Sequence, residues 1–148
     1  MINLNNFEKF VREKMVLKKN VFKPNLTSKL CFEVAKKNIH NKSKVLDLGC
    51  GSGIIGVLIK KDLKNIELFC SDNHLSSVKL TKKNLKKNNL SAVVKKGNLL
   101  DPWRGEKFDY IIDDVSAISS TVAFKSKWFS NNIPVESGED GTNLSIKI

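Results

Sequence analysis

The chain has 148 residues, 41% of them apolar, and carries 26 Lys and Arg against 15 Asp and Glu, a formal charge of +11. That length suits one domain around one core. No apolar run approaches the ~18–20 residues that span a bilayer, and the opening MINLNNFEKF lacks the basic and apolar regions of a secretory leader, so no membrane association and a cytoplasmic location are expected. Cys31, Cys50 and Cys70 are odd in number and have no C-x-x-C spacing, which argues against a disulfide framework and against a zinc site. The positive charge has two readings. Lysines such as Lys79, Lys82, Lys83, Lys86 and Lys87 either form a solvated helix face or neutralise the phosphates of a nucleic acid.

In chain order, Leu4, Phe7, Val11 and Met15 have helical spacing and predict a helix over 4–18. After the turn at Pro24, Leu26, Leu30, Phe32 and Val34 predict a second over 26–37. From Lys44 the pattern alternates. VLDL reads as a strand ending in glycines, IIGVLIK as a helix, IELFCS as a strand, His74 to Asn88 as a helix, and SAVVKK and FDYIID as two more strands. Strands alternating with helices imply βαβ units and an α/β fold with a parallel sheet. No repeat or linker divides the chain, so residues 1–43 are a helical preface to a core over 44–148, in a single domain.

The central motif is Val45-Leu-Asp-Leu-Gly-Cys-Gly-Ser-Gly-Ile-Ile-Gly56, a strand entering a glycine-rich turn and then a helix. Gly49, Gly51 and Gly53 stand where a backbone bends sharply and comes within contact distance of a ligand. The spacing Gly51-x-Gly53-x-x-Gly56 alone also fits a dinucleotide site. Asp47 at the strand end weighs against that, because a carboxylate there repels a pyrophosphate and attracts a cationic amino acid moiety. Asp72 closes the second strand, where a carboxylate accepts hydrogen bonds from ribose hydroxyls or caps the next helix. His40 and His74 form no metal or nucleophile constellation, and no metal site is expected.

VLDLGCGSG, Asp72 and VVKKGNLLD together resemble the class I S-adenosylmethionine-dependent methyltransferases over about residues 21–141. The resemblance implies a Rossmann-like, doubly wound, mostly parallel sheet and S-adenosylmethionine as cofactor. It places Asp47, Gly49 and Gly51 at the methionine end, Asp72 on the ribose, and Asn98 and Leu99 on the adenine, with Gly53 completing the glycine turn. Val21-Phe-Lys-Pro-Asn-Leu-Thr-Ser28 resembles the cofactor-covering turn of the branch that contains release-factor glutamine, ribosomal-protein and RNA guanine methyltransferases, which makes Pro24 and Thr27, with Ser28, cofactor candidates. A simple capping turn is the alternative. Glu136-Ser-Gly-Glu-Asp-Gly141 is similar to a glycine-acid-glycine stretch of the same branch.

The fourth strand departs from that branch. Where relatives that methylate a planar amide or base amino group carry Asn-Pro-Pro-Tyr, this chain has Asp114-Val-Ser-Ala117 after Asp113, so Asp114 stands in the asparagine position and the prolines and ring are absent. Asp113 and Asp114 are therefore the candidate catalytic residues, orienting or deprotonating an amine or hydroxyl, unless one of them caps the following segment. Trp103, Trp128 and Phe129 offer a stacking surface, with core packing as the more ordinary use. In the family three strands follow the fourth, so the sheet is expected to be truncated after the fourth strand. Its edge would be met by the alternating tail Leu144, Ile146, Ile148 or by a second copy of the chain, whereas the family pattern would start a helix there. The function expected is methyl transfer to RNA, or to a ribosomal or other translation-related protein. The alternatives are a non-catalytic cofactor-binding module acting through a partner chain and a nicotinamide oxidoreductase.

Overall fold

A computed structural model of the chain describes residues 3–126, 133 and 135–148; Trp128 and Phe129 lie outside them. Helix α1 spans Leu4–Lys14. Its first turn is capped by Asn3, whose Oδ1 accepts the Asn6 N–H at 2.8 Å. It stops four residues short of the expected Lys18, because at Met15 the backbone becomes extended. There the N–H and C=O of Val16 are both taken by the side chain of Asn84, at 2.6 and 3.0 Å. Asn88 and Lys87 donate to the free carbonyls of Lys14 and Glu13, so a distant helix finishes the hydrogen bonding that α1 leaves open.

Helix α2, Leu26–Asn38, is capped by Asn25, whose Oδ1 accepts from the amides of Thr27 and Ser28. Its inward face differs from the expected stripe. Phe32 is buried, with Cys31 and Ala35 packed on the core, whereas Leu26, Leu30 and Val34 are 54%, 51% and 62% exposed. The inner face also holds Lys29, which tolerates burial because its ammonium lies 2.8 Å from Glu33 one turn on.

The sheet comprises β1 (Lys44–Leu48), β2 (Glu67–Asp72), β3 (Val93–Lys96) and β4 (Tyr110–Asp113), joined through α3 (Ile54–Asp62) and α4 (Leu75–Lys87). The order is β3-β2-β1-β4 with every pairing parallel. Alternation along the strands divides the core. Val45, Leu68, Cys70 and Ile112 join the cluster under the helices, while Leu46 and Leu48 face Trp103, Phe69 and Phe108 on the other side. Those three rings stack edge to face at 5.2–5.7 Å, and the Trp103 indole N–H donates to Ser71 Oγ at 2.9 Å. This is the packing use of Trp103, which is 3% exposed. That face of the sheet is covered by a 3-10 turn, Asp101–Trp103, rather than by a full helix.

Beyond β4 come a short α5 (Ser120–Ala123) and a parallel bridge between Ile118 and Glu136. The tail forms a 3-10 turn over Ser145–Lys147, with Ile146 78% exposed. It does not pair with β4, and the Leu144 amide donates to Ser137 Oγ at 2.9 Å. Among the described residues no helix is long and apolar enough to cross a membrane.

Candidate functional site

All four strands run in the same direction, so their carboxyl ends lie along one edge. Successive strands step outward from β1 to β2 to β3, and β4 then appears on the opposite side of β1. A parallel sheet opens a crevice at such a reversal. The crevice is present here, with a volume of about 550 Å³.

Its floor is the turn from β1 to α3. Gly49, Gly51 and Gly53 all have positive φ, and the conformation is required most clearly at two of them. A side chain on Gly49 would come within 2.9 Å of Val115 Cγ1, and one on Gly53 within 2.8 Å of Thr81 Cγ2. Gly51 is different, because a Cβ there would meet nothing nearer than 3.9 Å. Its face is left open to the crevice, which it lines together with Gly49.

Two carboxylates fasten this turn. Asp72, at the end of β2, accepts the Gly51 amide at 2.9 Å through Oδ2 and the His74 amide at 2.8 Å through Oδ1. It shapes the loop and the start of α4 together, and it lines the crevice. Asp47, 2% exposed, accepts the Gly56 amide at 2.9 Å, which satisfies one of the open N–H groups in the first turn of α3. Burial pushes the Asp47 carboxyl up to about 7; the Gly56 hydrogen bond opposes the shift, and the nearby Asp114 and Asp72 add to it.

The other walls come from distant parts of the chain. Pro24, Thr27 and Ser28 contribute the turn before α2, Asn98 and Leu99 the loop after β3, and Asp114 through Ile118 the segment after β4. Leu99 has a positive φ of 43°, an uncommon backbone for a leucine. The crevice therefore gathers Pro24, Thr27, Asp47, Gly49, Gly51, Asp72, Asn98, Leu99 and Asp114 from the sequence candidates. It does not gather Gly53 or Asp113. Gly53 packs behind the turn against Thr81. Asp113 accepts the Val115 amide at 3.1 Å, a local turn cap. Asp114 is raised above the ordinary carboxylate range, first by burial and then by Asp113.

Sequence reasoning missed Phe22, Val115 and Val135, which give the crevice apolar wall. Phe22 was within reach as the one aromatic ring of the Val21–Ser28 turn. Asn84 was missed altogether: it is fully buried, and besides Val16 it donates to the Ser52 carbonyl at 2.9 Å. Nothing local distinguishes it among the polar residues of α4.

A model of the methyltransferase small domain matches residues 14–114. The chain belongs to that family. Among relatives, this methyltransferase small domain is 40% identical over 73 residues to a ribosomal RNA small subunit methyltransferase C of Haemophilus influenzae, covering 49% of this chain and 22% of that protein. It is 36% identical over 112 residues to a release factor glutamine methyltransferase of Clostridium botulinum, covering 72% and 40%. The chain thus spans less than half the length of these relatives. Its fold is that of a 16S rRNA N2 methyltransferase of T. thermophilus solved in complex with AdoMet and guanosine, with a TM-score of 0.55 and 23% identity over 74% of this chain and 31% of that one. The four-stranded sheet is accordingly the Rossmann-like class I methyltransferase arrangement.

Proposed function

We propose that this chain is an S-adenosylmethionine-dependent methyltransferase core that transfers a methyl group to RNA or to a translation-related protein. The observation that carries the reading is the convergence of Asp47, Gly51, Asp72 and Asn98 on one crevice at the sheet's reversal point. The residues fit the cofactor. Gly51 leaves its Cβ position open for close backbone approach, Asp72 stands at the wall with spare acceptor capacity, and Asp47 offers a carboxylate to an amino group. Asn98 and Leu99 would hold the adenine, and Pro24 and Thr27 would cover it.

The cofactor supplies a methyl group on an already activated sulfonium, so the chain's own residues chiefly bind, orient and exclude water. Asp114 is the acceptor-side group, exposed at the crevice wall with a carboxyl above its ordinary range. Such a carboxylate accepts a hydrogen bond from an incoming amine or hydroxyl and takes up its proton on Oδ as the methyl leaves. Asp113, tied to the Val115 amide, has the positioning role. An acceptor in the translation machinery, ribosomal RNA for one relative and a release factor for the other by their names, goes with a cytoplasmic location.

Calorimetric titration with S-adenosylmethionine, S-adenosylhomocysteine and NAD tests the cofactor. Micromolar binding of the first two and not of NAD is expected, and preferential NAD binding would overturn the assignment. Multi-turnover formation of S-adenosylhomocysteine with cell RNA or ribosomal protein separates an enzyme from a binding module. Asp114→Asn is expected to slow turnover at unchanged cofactor affinity.

A further inference from the structure

Between Asp72 and Asp101 the chain contains no acidic residue and seven lysines: Lys79, Lys82, Lys83, Lys86, Lys87, Lys95 and Lys96. All seven are exposed. The ion pairs of the described residues fall elsewhere, on Arg12, Lys29, Lys36, Lys44 and Arg104. Two of the seven already have neutral uses: Lys87 donates to the Glu13 carbonyl, and Lys95 donates to the Pro102 carbonyl and lies over the Trp103 ring at 4.3 Å. Lys79, Lys82, Lys83, Lys86 and Lys96 remain.

These five form one surface. On α4 the buried positions are Ser77, Val78, Leu80, Thr81, Asn84 and Leu85, which leaves Lys79, Lys82, Lys83 and Lys86 along the opposite side at three- and four-residue intervals, neighbours on a helix surface. Strand β3 is an edge strand, and its Val94 packs on the core beneath the helices, so Lys96, two residues on, emerges on the same side of the sheet as α4. The surface also starts at the crevice. Ser77 of α4 lines it, as does Gly97, which follows Lys96, and the Gly97 amide donates at 3.1 Å to the carbonyl of Asp72, the last residue of β2 before the turn into α4. A row of unpaired like charges destabilises a helix slightly, and no acidic residue relieves it here.

We infer that the outer face of α4 with Lys96 is a docking track for the phosphate backbone of an RNA whose target nucleotide enters the crevice. The inference deepens the methyl-transfer reading and rests on it, because it narrows the acceptor to RNA. Backbone contacts of this kind position a nucleic acid without reading its sequence. Selection of the target nucleotide is therefore left to the residues around Asp114.

The test is salt-dependent binding of a fluorescently labelled RNA hairpin. Five lysines on five phosphates give a slope of log K against log salt of about −4. The variant carrying Lys79→Gln, Lys82→Gln, Lys83→Gln and Lys86→Gln is expected to flatten that slope by about 3, and the same four positions changed to Arg are expected to retain it. A control with Lys9→Gln, Lys37→Gln, Lys64→Gln and Lys107→Gln loses the same charge from other elements and is expected to leave the slope nearly unchanged. An equal effect of control and α4 variant would overturn the inference, as would binding of phosphatidylserine vesicles with none of RNA. Calorimetry with S-adenosylhomocysteine reads the crevice separately. RNA binding through α4 in a chain that binds no cofactor would uphold the track while removing the methyl-transfer reading.

Discussion

Asp47 Oδ2 lies 2.9 Å from the Gly56 amide nitrogen, so a carboxyl from the central strand caps the helix that follows the glycine turn. Gly56 suits this closeness, since a Cβ there would also stand 2.9 Å from Asp47 Oδ2. The folded protein binds the Asp47 proton more tightly than the unfolded chain does, with a value near 7 against 3.8. The folded state thus holds the extra proton between about pH 4 and pH 7, and stability contributed by this group falls as pH rises through that window. The fall is of order 4 kcal/mol, taking about 1.4 kcal/mol per unit. Asp47→Asn keeps an acceptor for Gly56 and should remove this part of the pH dependence. Urea unfolding of both proteins across the window gives the comparison.

The same carboxyl predicts proton release on cofactor binding. A cationic amino group brought beside Asp47 favours its charged form, so near pH 6, about one unit below the Asp47 value of about 7, S-adenosylhomocysteine should expel close to one proton. Titrations in phosphate and in imidazole, which both buffer there and differ in ionisation enthalpy, should give different apparent enthalpies for the native chain and the same enthalpy for Asp47→Asn.

Asp72→Ala removes the brace on the Gly51 amide together with the acceptor proposed for the ribose. Cofactor affinity should drop by about 1–3 kcal/mol, roughly 5- to 150-fold. Unchanged affinity would remove Asp72 from the site.

Gly53→Ala combines a φ of +77° with an approach of 2.8 Å to Thr81 Cγ2. We expect destabilisation of roughly 1–3 kcal/mol from the backbone alone, plus the clash. Adding Thr81→Ser removes the methyl while keeping the hydroxyl that donates to the Gly51 carbonyl at 3.1 Å. The double variant should recover part of the clash portion, since Oγ at 3.0 Å and Cβ at 3.2 Å stay close, and leave the backbone portion, as read by denaturant midpoint.

Much of this architecture was legible in local pattern. The four strands, the helices between them and the turn with its two acids follow from period, glycine spacing and strand-end chemistry, all short-range signals. What was not legible depends on partners far along the chain. The end of α1 is fixed by Asn84, 68 residues from Val16. Asn84→Ala should cost about 1–3 kcal/mol for each buried group left without a partner and should release the segment after α1, a loss that amide exchange at Val16 would show. The inward face of α2 was misread because Leu26, Leu30 and Val34 carry the apolar signal while a paired Lys29 and Glu33 occupy the interior. Asp113 and Asp114 are indistinguishable in sequence, but Asp113 closes β4 and caps the Val115 amide, and only Asp114, just past the strand, lines the crevice.

The crevice is lined from Asn20 through to Leu144, with its floor and walls supplied by stretches that meet only across long separations. Contacts of that kind are the last to be rewarded during folding. A nascent or partly folded chain therefore has no binding site to offer, and ligand stabilises only the completed structure. The cellular supply of cofactor would then act as a selective holdfast for finished molecules, lengthening their survival against proteolysis while leaving incomplete ones to be cleared.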